Sequence, residues 1–197
     1  MTNGRAGAAA EPPRRTDARL NRERLVAAAR EVFAEAGPGA SLNEIARRAG
    51  VGPGTLYRHF PDRSALLSAV LADRIERLGA RAERLLVSED ADEALEQWLR
   101  AFLVHARVNQ GMGSALLVEP AGESGPDCHR RILDMATGLL DRAQLHGSAR
   151  ADLTADDLLH LVIGIALSTT QDDRPGRPEF LLDLALDAVH GSPRRKG

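Results

Sequence analysis

Three features of this 197-residue sequence predict an all-α fold. Its apolar content comes mostly from leucine and alanine, and aromatic residues make up only 3%, a balance that suits helices over sheets. Apolar residues recur at spacings of three and four in one segment after another. No segment alternates with the period of two that a half-buried strand needs, and none repeats another.

Residues 1–18 are small, polar and marked by proline and arginine, which predicts a disordered arm. From Leu20 to Ala36, the residues Leu25, Val26, Ala29, Val32, Phe33 and Ala36 form the buried stripe of a first helix, which Gly37-Pro38-Gly39 ends. Ser41-Leu42-Asn43-Glu44 has the form of a capping box, in which Ser41 accepts from the Glu44 N–H and Glu44 reaches back. The short helix it opens runs through Arg48 and breaks at Ala49-Gly50. Gly52-Pro53-Gly54 introduces another, Thr55 to His59, closed by Pro61. Asp62 then caps a long helix over roughly residues 63–87, with Leu66, Leu67, Val70, Leu71, Ile75, Leu78, Leu85 and Leu86 on its buried stripe.

The remaining sequence predicts a larger helical body over residues 65–191, followed by a short disordered tail, 192–197. Residues 91–108 place Leu95, Trp98, Leu99, Phe102 and His105 on one face. Residues 109–126 are glycine-rich and irregular. A helix over 127–146 carries Cys128, Ile132, Met135, Leu139 and His146 on one stripe. Thr154 caps a helix through about Thr170, and Pro178 starts the last one, which Gly191 ends.

The net charge of −2 hides an uneven distribution. Residues 1–64 hold 11 arginines against 7 carboxylates, a net of +4, which leaves −6 for the rest. A basic front and an acidic body predict that one end meets a polyanion. Cys128 is the only cysteine, so no intramolecular disulfide framework forms, and a reducing, cytoplasmic setting is expected. Residues 1–19 lack the apolar core of a signal peptide, and the longest apolar run, 158–167, is about half a membrane span.

Residues 41–60 read as helix, tight glycine turn, helix: a helix-turn-helix, whose second helix enters the major groove of DNA. Gly52 and Gly54 allow the backbone close to a duplex. Thr55, Tyr57, Arg58 and His59 offer a hydroxyl, a phenol, a guanidinium and an imidazole within five residues, rich in donors as phosphate and base contacts require.

Residues 20–66, with Ser41-Leu42-Asn43-Glu44-Ile45-Ala46, Gly50-Val51 and Thr55-Leu56-Tyr57-Arg58-His59-Phe60, resemble the DNA-binding domain of TetR-family regulators. The body resembles that family's ligand-binding and dimerisation domain in helix count and order. The resemblance implies a helix-turn-helix domain over residues 19–64. It implies that Ser41 binds a phosphate besides capping its helix, that Asn43, Gly54, Thr55 and Arg58 meet base edges or the groove, that Tyr57 and His59 bind phosphates, and that Arg63 sits on the DNA backbone where the family usually carries lysine.

In the body, Trp98, Phe102, His105, Met112, Cys128, Met135, Leu139 and His160 are candidates for lining a small-molecule site, against the plainer reading of helical core. Cys128-His129 lacks the spacing of a metal site, because neighbours on a helix diverge by about 100° and no CxxC or HxxxH accompanies them. The last two helices are apolar nearly all round, which demands burial on two sides. Leu159, Val162, Ile163 and Ala166 with Phe180, Leu181 and Leu184 are therefore expected at a twofold dimer interface.

The expected function is a dimeric regulator, a repressor by family habit, that binds a palindromic operator in double-stranded DNA and is released by an apolar effector. The alternative keeps DNA binding but replaces the small molecule with a partner protein or with no effector at all. No nucleophile elbow, phosphate loop or carboxylate pair points to an enzyme, and no cofactor or metal is implied.

Overall fold

The computed structural model describes residues 13–88, 90–110, 126–170 and 174–190. Among them are eight helices and no strand: α1 (Pro13–Ala36), α2 (Leu42–Arg48), α3 (Pro53–His59), α4 (Arg63–Leu86), α5 (Ala91–Gln110), α6 (Pro126–Leu145), α7 (Ala155–Ser168) and α8 (Arg177–His190). None of these helices is long and apolar enough to cross a membrane. The chain divides into two compact units, Met1–Val70 and Leu71–Gly197.

The helix starts differ from expectation where proline or a lack of apolar signal decides them. α1 begins at Pro13, so residues 13–18 are helical where a disordered arm is expected. No apolar stripe marks that turn, but proline suits a first turn and arginine and alanine favour helix. α3 begins at Pro53, two residues before the expected start, because proline at the first position costs no hydrogen bond.

The first unit closes around Leu25, Ala29, Val32, Phe33, Ile45, Ala46, Leu56, Phe60, Leu66 and Val70. Gly37 ends α1 in a left-handed conformation, φ +75°, and donates its N–H to Phe33 O at 3.0 Å. Asp62 caps α4 as expected, its Oδ1 accepting the Ala65 N–H at 2.8 Å.

The core of the second unit gathers Leu71, Ile75, Leu78 and Ala82 of α4 with buried residues of α5, α6, α7 and α8. α4 is thus one continuous helix that contributes to both cores. Thr154 and Asp157 form a reciprocal capping box at the start of α7: the Asp157 N–H donates to Thr154 Oγ1 at 3.2 Å, and the Thr154 N–H to Asp157 Oδ2 at 3.0 Å.

Candidate nucleic-acid interface

α3 separates its side chains by the helical period. Leu56 and the following Phe60 are buried in the small core, while Gly52, Pro53, Gly54, Tyr57 and Arg58 are exposed. Tyr57 is 50% exposed although it is a large aromatic residue, a cost the core does not explain. Thr55 and His59 are half-buried at the edges of that face. On α2, Asn43 and the preceding Ser41 are also exposed. Gly52, the N-cap of α3, is extended (φ −72°, ψ 153°) and leaves its end of the helix bare of side chain.

The capping box expected at Ser41 does not form, since the Ser41 side chain makes no cap hydrogen bond. Glu44 is instead taken by two guanidiniums. Arg47 Nε and Nη2 donate to it at 2.8 and 2.7 Å, and Arg48 Nε donates at 3.0 Å. These charge-assisted bonds outcompete a bond to a neutral backbone N–H, and they push the Glu44 carboxyl down to about 2. Arg48 also grips Glu35 of α1 with both terminal nitrogens, at 2.8 and 2.6 Å. Pairing across thirteen residues carried no signal in the sequence, nor did Arg22, whose guanidinium lies 5.2 Å from the Phe60 ring centroid. Arg63, expected on the DNA backbone, is half-buried and donates from Nη1 to Pro38 O and Ala40 O.

In the second unit the residues expected to line a ligand site divide. Trp98, Phe102 and His105 stack along α5, with ring centroids 5.6 and 6.0 Å apart, all buried. Burial, with the Arg74 charge adding to it, holds the His105 imidazole down at about 4, so the ring is neutral near neutral pH. Leu139 is core, Cys128 is half-buried, and the Met135 methyl lies where a Cβ on Gly79 would meet it at 3.0 Å. His160 does not join them. It is exposed on α7, its Nδ1 2.9 Å from Asp156 O, because it shares the outward side of the helix with Asp156 and Gly164. Met112 lies outside the described residues. An open cleft of about 420 Å³ is lined by Asp90, Ala91, Asp92, His146 and Ser148, none of them expected. No group of three or more histidine, cysteine or acidic residues that could hold a metal ion occurs among the described residues.

The expected interface set needs a correction. Leu159, Val162 and Ala166 are buried in the protomer's own core, together with Ala155, Leu158 and Ile165. A helix apolar on every side gives no sequence cue to which stripe turns inward. The outward apolar residues are Leu161 and Leu167 of α7 with Phe180 and Leu184 of α8, whereas Ile163 and Leu181 are half-buried.

Residues 25–70 match the model of the tetR family of bacterial regulatory proteins, and residues 90–190 match that of the C-terminal domain of SbtR-like transcriptional regulators. The HTH-type transcriptional regulator UidR of Escherichia coli (strain K12) is 41% identical over 179 residues, covering 86% of this chain and 91% of its own. Among solved structures, the TetR transcriptional regulator SCO0520 from Streptomyces coelicolor superimposes with a TM-score of 0.74 at 38% identity, covering 86% of this chain and 98% of that one. The TetR transcription regulatory protein from Mycobacterium vanbaalenii gives 0.70 at 33% identity, covering 91% of this chain and all of its own.

Proposed function

The chain belongs to the TetR family of transcriptional regulators, and from that premise we propose that it represses transcription as a homodimer on a palindromic operator and leaves the DNA when a small apolar effector binds its C-terminal unit. The observation that carries the reading is the exposed face of α3, where a bare glycine-flanked N-terminus is followed by Tyr57 and Arg58 on the side opposite buried Leu56. In this reading Asn43, Gly54, Thr55 and Arg58 approach base edges, and Ser41, Tyr57 and His59 bind phosphates.

Dimerisation supplies two reading helices to two half-sites, which is why the operator is a palindrome. The exposed apolar side of α7 and α8 supports it, since a monomer gains nothing by keeping Phe180 and Leu184 in water. Release follows if the effector prefers a conformer in which the reading helices are wrongly spaced. The buried aromatic run of α5 is the adaptable apolar surface such a molecule would enter.

Selection of bound duplexes from a random DNA pool, followed by a salt titration on the winner, tests the reading. A palindromic winner whose affinity falls steeply with salt is expected. No enrichment at low salt from folded dimer would overturn it. A winner that no apolar compound releases would leave DNA binding standing and remove the effector.

A further inference from the structure

We propose that Arg63 is a positioning residue of the reading unit, which ties the first turn of α4 to the α1–α2 turn and does not bind a DNA phosphate. The inference rests on the operator-binding reading above. It begins with what the turn lacks. Gly37 has φ +75°, Pro38 has no N–H, and the turn closes with the Ala40 N–H donating to Gly37 O at 3.1 Å. The carbonyls of Pro38 and Ala40 are left with no backbone donor among the described residues, and Ala40 itself is buried. Carbonyls in that situation need a partner.

Arg63 supplies it. Its Nη1 carries two hydrogens and gives one to each oxygen, at 2.8 Å to Pro38 O and 2.5 Å to Ala40 O, across 25 and 23 residues of chain. The side chain is half-buried, and its stem begins in the first turn of α4, which Asp62 caps. With both Nη1 hydrogens given to main-chain carbonyls, the guanidinium loses its end-on fork and keeps only the Nε–Nη2 edge for an outside acceptor, so the salt slope decides whether a phosphate uses it. The two carbonyls belong to the segment that delivers the chain into α2, and α2 and α3 share the core of Ile45, Ala46 and Leu56. Arg63 therefore fixes where the helix-turn-helix begins relative to the start of α4.

The two roles differ in what they do to DNA binding. Sequence-specific binding depends on the reading elements standing in register with base edges, whereas nonspecific binding depends on charge. The experiment compares the full chain and its R63M variant on the selected operator and on a scrambled duplex of equal length, across a salt series. The inference expects operator affinity to fall about tenfold, scrambled-duplex affinity to stay within about twofold, and the salt slope to hold, with R63K restoring operator binding through its ammonium donors. Equal losses on both duplexes with a slope shallower by about 0.9 would make Arg63 a phosphate ligand and overturn the inference. Unchanged operator affinity would overturn it too. Should R63M fail to fold, R63Q supplies the same comparison. If the wild-type chain selects no duplex, the operator-binding reading itself falls and takes this one with it.

Discussion

The Trp98 indole N–H of α5 donates to the Leu78 carbonyl of α4 at 3.2 Å, and the ring that makes this bond is wholly buried. The contact fixes α5 against α4 at one point, and the stack of Phe102 and His105 continues from it. W98F keeps the stacking but loses the hydrogen bond and some volume, so it should cost about 1–2 kcal/mol. W98A should cost about 3–5 kcal/mol. Urea unfolding followed by far-UV circular dichroism measures both, because Trp98 is the only tryptophan and fluorescence is lost with it. A loss below about 1 kcal/mol for W98A would mean the site collapses around the gap.

Tyr57 and Arg58 are consecutive exposed residues of α3, yet their substitutions should differ. A phosphate contact carries no sequence information, so Y57A should weaken binding evenly across operator variants. R58A should cost about 1–3 kcal/mol on the preferred operator and flatten the preference at particular base pairs. Competition binding against a panel of single-base operator variants separates the two patterns. A uniform loss for both would move Arg58 to the phosphates.

Much of the small unit was legible because glycine and proline punctuate it. The α2 bounds, the stop at Gly37 and the Asp62 cap all follow from residues whose backbone preferences leave little choice. That the expected Ser41–Glu44 capping box stays open was not legible, because Glu44 is claimed by Arg47 and Arg48, and Arg48 is itself anchored to Glu35 thirteen residues away. On α7 the difficulty is different: with Leu, Val and Ile on every side, periodicity cannot separate Leu159 from Leu161, and only packing does so.

His105 predicts an acid-sensitive second unit. The folded chain holds this imidazole at about 4, chiefly by burial and secondly through Arg74, against 6.5 for an unburied ring. Between those values the unfolded chain binds more protons than the folded one, so stability falls as the pH drops from 6.5 to 4. The loss is on the order of 3 kcal/mol. H105F removes the titrating group while keeping a ring against Phe102, and its urea midpoint should decline less over this interval. Parallel declines in the two proteins would assign the acid sensitivity to other groups.

Gly164 separates a property of the protomer from a property of the proposed dimer. It lies on the outward side of α7, where an added Cβ meets nothing within 4 Å. In an isolated protomer, G164A should therefore stabilise by about 0.5–1 kcal/mol, the usual gain of alanine over glycine within a helix. The outward residues of α7 and α8 include large apolar ones: Leu161 is 45% exposed, Leu167 47%, Phe180 50% and Leu184 51%. If a second copy packs on this face, glycine lets the helices approach closely, and a side chain there holds them apart. G164L should then raise the dimer dissociation constant at least about tenfold, a difference of ~1.4 kcal/mol or more, while the folded content of the protomer is kept. Sedimentation equilibrium over a concentration series reads the constant directly. A G164L protein that dimerises as tightly as the wild type would take α7 out of the interface, and the exposed apolar side of α7 and α8 would then need another occupant.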